Sequence, residues 1–91
     1  MRTVTIERKE SPLGQPVACK VLADERPIGE LKAEESKKSY PISKGEHAIQ
    51  VQIEGADGRL YRSNSYFATG GASFTLYLTI SGTKLTLVYD K

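Results

Sequence analysis

Tryptophan is absent from this 91-residue chain, and cysteine, histidine and methionine occur once each. With Cys19 alone, no intramolecular disulfide and no cysteine-rich zinc site can form, and a reducing compartment is favoured. With His47 alone, multi-histidine metal centres and the H-E-x-x-H arrangement are excluded. Neither a G-x-S-x-G elbow nor a P-loop Gly-Lys-Ser/Thr is present. No stretch approaches the roughly 18–20 apolar residues of a membrane helix. Residues Met1–Arg8 alternate and carry charge, without the apolar run of a secretory signal. The expectation is a cytoplasmic chain with no cofactor, no metal and no membrane segment.

Charge of one sign is also scarce. Thirteen Lys and Arg stand against eleven Asp and Glu, for a formal charge of +2. Such a balance gives little long-range steering, and the signs alternate instead of gathering in the basic stripe of a nucleic-acid binder. Arg8–Lys9, Lys37–Lys38 and the pair Arg59 and Arg62 read as solvated surface.

What is there is alternation. In Ser43 to Glu54 a glycine-bearing turn runs into a strict period of two. His47, Ile49, Val51 and Ile53 fall on one face and Ala48, Gln50, Gln52 and Glu54 on the other, the pattern of a half-buried strand. Phe74, Leu76, Leu78 and Ile80 alternate with Thr75, Tyr77 and Thr79 in the same way. Further strands are expected at 3–8, 17–23, 27–31, 40–42, 59–68 and 85–89. Turns are expected at Asp24–Pro27, Ser43–Gly45, Asp57–Gly58, Thr69–Gly71 and Ser81–Gly82. Ser11–Pro16 reads as a breaker with two prolines and a glycine, and Lys32–Lys38 as a charged loop.

The fold class that follows is all-β: an antiparallel β-sandwich of about seven strands, immunoglobulin-like in layout, forming a single domain over 1–91. The expected core is Val4, Ile6, Val17, Cys19, Val21, Ile28, Tyr40, Ile42, Ile49, Val51, Ile53, Phe67, Phe74, Leu76, Leu78, Ile80, Leu85 and Leu87. Pro27–Leu31 and Leu85–Tyr89 read as edge strands.

Catalysis needs polar groups held within hydrogen-bond reach of one another, and the sequence offers few. A His47–Cys19 nucleophilic pair is conceivable, but His47 reads better as a ring at the sandwich end and Cys19 as a small buried apolar residue. Glu34–Glu35, Glu30 and Glu46 read as solvated carboxylates. The chain is expected not to be an enzyme. The one candidate ligand surface is the 59–68 strand. Alternation would set Leu60, Arg62, Asn64 and Tyr66 on one face, opposite Tyr61. Tyr61, Arg62, Asn64 and Tyr66 are the candidate residues of a polar-aromatic platform for sugar or single-stranded nucleic acid.

Val21 to Leu31, then Tyr40–Pro41–Ile42, then Lys44 to Val51, resemble PEGA-like domains, in which a D-G-x-x-I-G type turn precedes a G-x-H-x-I-x-V strand. Small bacterial immunoglobulin-like sandwiches use similar wording, and the likeness covers residues 17–54. The Pro-Glu-Gly-Ala motif itself is missing, and Glu25 stands where a turn glycine is common. The resemblance implies an accessory β-sandwich and carries no catalytic residue. The expected function is a non-catalytic binding or protein-interaction module, meeting another protein or a second copy of itself through an exposed edge strand.

Overall fold

A computed structural model of the chain describes residues 2–9, 17–55, 57–82 and 84–89. Its strands are β1 (Arg2–Arg8), β2 (Cys19–Ala23), β3 (Arg26–Leu31), β4 (Lys37–Ile42), β5 (His47–Glu54), β6 (Leu60–Arg62), β7 (Tyr66–Ala68), β8 (Phe74–Ser81) and β9 (Lys84–Tyr89). They form two sheets, in the order β4-β1-β8-β9 and β3-β2-β5-β6, with β7 also pairing β5. The protein is a small all-β sandwich, and among the described residues there is no helix. The Ser11–Pro16 breaker lies outside the described residues.

Among the described residues all pairings are antiparallel except one. β1 and β8 run parallel, from Val4 opposite Phe74 to Arg8 opposite Leu78. A parallel pair needs a long connection, and here β2 to β7 supply it.

Alternation sorts the residues as period two requires. Val4, Ile6, Val21, Ile49, Val51, Leu76 and Leu78 are fully buried between the sheets. Val17, Ile28, Phe74 and Ile80 pack against this core half-buried. Phe67 does not belong to it: its ring is 72% exposed. Leu31, Leu22, Ala23 and Ala68 are buried instead.

Phe67 is displaced by a break in the expected 59–68 strand. Gln52 faces Arg62 and Ile49 faces Tyr66, so three steps along β5 are matched by four along its partner. The extra residue is a bulge, and one residue of slip exchanges the two faces. Leu60 and Arg62 therefore share the outer face with Glu54 and Gln52, whereas beyond the bulge Tyr66 turns inward beside Ile49 and Phe67 outward beside Ala48. Ser63 repairs the ladder at the break. Its N–H donates to Val51 O at 2.8 Å, and its Oγ accepts the Val51 N–H at 2.9 Å.

Two inward-facing arginines end β1. Arg2 is 2% exposed, and its guanidinium donates to Ser43 O, Gly45 O and Thr69 O while lying 5.5 Å from the Phe74 ring centre. Arg8 donates to Val17 O, Lys32 O, Ala33 O and Glu35 O. Spending the donors of a buried charge on carbonyls is what makes its burial tolerable. Each guanidinium thereby ties loops to one end of the same strand.

Candidate functional site

Chemistry-bearing groups gather where the β2–β3 turn meets the β4–β5 loop. Asp24 and Glu25 form the turn, with φ of 53° and 67°. Two consecutive left-handed residues are the signature of the type I′ hairpin, whose twist matches that of the strands. The turn aims Asp24 back at β5. Its N–H donates to Ala48 O at 2.9 Å, and its Oδ1 accepts the Ala48 N–H at 2.9 Å. Its Oδ2 stands 2.6 Å from His47 Nδ1, and His47 Nε2 stands 2.8 Å from Ser43 Oγ.

The proton positions follow from the partners. A carboxylate only accepts, so Nδ1 carries the hydrogen; in the neutral ring Nε2 then accepts from the Ser43 hydroxyl. The Ala48 N–H, followed by the His47 ring, holds the Asp24 carboxyl below the usual carboxylate range. The loop carrying Ser43 is fixed from behind, by Arg2 on the Ser43 and Gly45 carbonyls and by the Gly45 N–H on Gly70 O at 2.9 Å. Sequence reading misses this Ser–His–Asp chain because Asp24 lies in a different turn from Ser43 and His47. Only the β2–β5 register brings the turn to the loop.

The His47–Cys19 pair does not form. Lys20 is opposite Gln52, which puts Cys19 at the far end of β5 from His47, roughly 20 Å away at about 3.3 Å per residue. Cys19 is buried, and desolvation pushes its thiol up against the opposing pull of Arg8.

The four residues of the expected platform are dispersed. Tyr61 faces Ile53 on the inner side, with its hydroxyl 3.1 Å from Asp57 Oδ2, a contact that raises its phenol. Arg62 is on the outer face, bonded to Gln52 at 2.9 Å and reaching Glu25 at 3.4 Å. Asn64 spends its carboxamide on the other sheet: Nδ2 donates to Leu87 O at 3.0 Å, and Oδ1 accepts the Leu87 N–H at 2.8 Å. Tyr66 packs its ring 5.6 Å from that of Phe74 and 5.8 Å from that of Tyr89. They present no common surface. The run Ser63–Asn64–Ser65, all turn-prone residues inside an expected strand, is the signal that marks the break.

The sheet edges are β3 and β6/β7 on one side of the sandwich and β4 and β9 on the other. Most are guarded. β3 contains Pro27, and the Tyr40 hydroxyl donates to Glu30 O at 2.7 Å; burial pushes the Tyr40 phenol up to about 12. β4 carries Lys37, Lys38 and Pro41, residues that discourage strand addition. β6/β7 is interrupted, and Asn64 occupies the outward N–H and C=O of Leu87 in the middle of β9.

One flank stays apolar. β7 and β9 lie against each other, with the Tyr66 and Tyr89 rings in tilted contact between them. Phe67 at 72%, Val88 at 52% and Tyr89 at 43% are three of the large apolar side chains that remain exposed among the described residues.

No family model, curated protein or solved structure matches the chain.

Proposed function

We propose that this domain is a protein-interaction module whose docking surface is the β7–β9 seam. The observation that carries the reading is the part-exposed Tyr89 ring, 5.8 Å from Tyr66 in the seam, with Phe67 exposed on the outer face of β7 and Val88 on the outer face of β9. Exposed aromatic side chains at a sheet edge are what partner surfaces bury. The partner is another protein or a second copy of the chain, and the end of β9 beyond Leu87 is where its strand would meet the sheet. The resemblance of residues 17–54 to PEGA-like and bacterial immunoglobulin-like domains belongs to the same proposal, since it too implies an accessory module.

The test pairs partner capture from source lysate with sedimentation velocity on the purified chain, for wild type and for Phe67→Ser/Tyr89→Ser. The expected result is a stoichiometric partner, or a concentration-dependent dimer, that the double variant loses while its thermal midpoint holds. Equal capture by both proteins, or a monomer without partners at every concentration, overturns the reading. Val88→Pro is a poor probe of this edge. Leu87 directs its N–H outward to Asn64, so by alternation Val88 directs its own toward β8, and a proline there would damage the sheet.

A further inference from the structure

We infer that Ser43 is an activated nucleophile able to take an acyl group from an activated carboxylic ester. The inference rests on the loop at the end of the sandwich and is independent of the β7–β9 seam.

Three features set Ser43 apart from an ordinary surface serine. Its Oγ is 2.8 Å from an imidazole nitrogen whose other nitrogen is 2.6 Å from a carboxylate. That is the geometry by which a base activates a hydroxyl and a third group orients the base. The carboxylate is itself fixed, because Asp24 exchanges two hydrogen bonds with the backbone of Ala48. The reacting end is also open: Ser43 is exposed, whereas the His47 side chain is only 20% exposed. A reagent can thus reach the hydroxyl while the base stays sheltered.

The step balances without a redox partner. Ser43 Oγ attacks the ester carbonyl carbon as its proton passes to His47 Nε2, and the imidazolium that results is held by Asp24. Collapse of the tetrahedral intermediate breaks the bond to the alcohol or phenol, which leaves with the proton from Nε2. Water, deprotonated by the same nitrogen, then cleaves the acyl-serine to the carboxylic acid and free Ser43. The nearby Gly45 N–H is already donated to Gly70 O. Each missing oxyanion donor costs about 10²–10³ in rate. Acyl transfer with slow release is therefore expected, not rapid turnover.

The test uses p-nitrophenyl acetate and a fluorophosphonate as probes, with phenolate release followed by absorbance and adducts located by peptide mass mapping. A burst of about one equivalent is expected, with the acetyl and phosphonyl groups on Ser43. Ser43→Ala should abolish both adducts, and His47→Gln should slow acylation by about 10²-fold or more. Asp24→Asn keeps an acceptor for the Ala48 N–H and should slow acylation with the fold preserved. Ser43 left unmodified in the wild-type chain while surface lysines are acetylated overturns the inference. So does an acylation rate that His47→Gln leaves unchanged. Because the wild-type map decides alone, a variant that fails to fold does not rescue the idea.

Discussion

Asn64 offers the sharpest test of how the two sheets are held together. Its carboxamide mimics one residue of a neighbouring strand, giving and receiving a hydrogen bond at Leu87. Leu87 is 3% exposed, so truncating Asn64 strands a backbone N–H and C=O at the margin of the core. Each orphaned group costs about 1–3 kcal/mol when water is kept out, and less when water can replace the lost partner. Asn64 itself is exposed, so water reaches the gap in Asn64→Ala and the cost should fall near 2 kcal/mol in total. Asn64→Leu fills the gap with a group that neither bonds nor admits water, and should cost about 3 kcal/mol. Asn64→Asp separates the two bonds. At neutral pH the new carboxylate still accepts from Leu87 N–H but faces Leu87 O with a second negative oxygen. Protonated, it donates to that carbonyl and recovers both bonds. Its folded pKa is therefore raised above the ordinary value of about 3.9, so its contribution is complete below that value and lost as pH rises through the folded one. Urea unfolding followed by circular dichroism or tyrosine fluorescence measures all three variants. With an m-value of about 1–3 kcal/mol/M, Asn64→Ala should lower the midpoint by roughly 1 M. An unchanged midpoint, an Asn64→Leu variant more stable than Asn64→Ala, or an Asn64→Asp deficit that grows on acidification would refute the reasoning.

Other expectations rest on separate features. Arg2→Lys keeps the charge but loses the fork that bonds three carbonyls, and should cost about 2–4 kcal/mol by urea unfolding. Glu25→Gly relieves a left-handed residue and forfeits only the exposed 3.4 Å contact to Arg62; a gain of about 0.5–1 kcal/mol should appear as a higher thermal midpoint. Val51→Ala should cost about 2 kcal/mol or more, whereas Gln50→Ala, on the opposite face, should cost under about 1 kcal/mol. The depressed Asp24 carboxyl stabilises the fold above the ordinary carboxylate value of 3.8 and stops doing so as pH falls through its lower folded value. Midpoints measured from pH 6 down to pH 2, points chosen at about these values to bracket that window, should therefore fall more steeply for wild type than for Asp24→Asn.

What the sequence made legible was local. His47–Glu54 and Phe74–Ser81 alternate without interruption, and both strands lie where alternation puts them. Pro27 and Gly29 mark β3 as an edge, and the Tyr40 ring gives a reason for the glycine: a Cβ at position 29 would lie 2.5 Å from that ring. Parity was illegible across the Ser63–Ser65 bulge, since a single extra residue reverses every face after it without altering composition. That reversal exposed Phe67 and turned Tyr66 away from the face of Arg62, whereas Tyr61 and Arg62, both before the break, lie on opposite faces by alternation itself. Arg2 and Leu31 at strand ends gave no pattern long enough to announce their burial. The Ser43–His47–Asp24 chain depends on a meeting of turns that only the paired sheet creates.

The parallel partnership of β1 with β8 carries a consequence for the order in which the molecule is made. The pairs within the β3-β2-β5-β6/β7 sheet all fall between Cys19 and Ala68, so that sheet can assemble while the remainder is still being translated. β1 emerges before any of it, yet its partners on β8 lie 70 residues further along the chain. At about 5–20 residues per second it waits on the order of ten seconds for them. During that interval Val4 and Ile6 have only β4 to pair with, and the growing chain presents a half-built sheet to its surroundings. Closure by so distant a pairing is slow as well as late. The nascent protein is thus most exposed to aggregation just before its last two strands arrive.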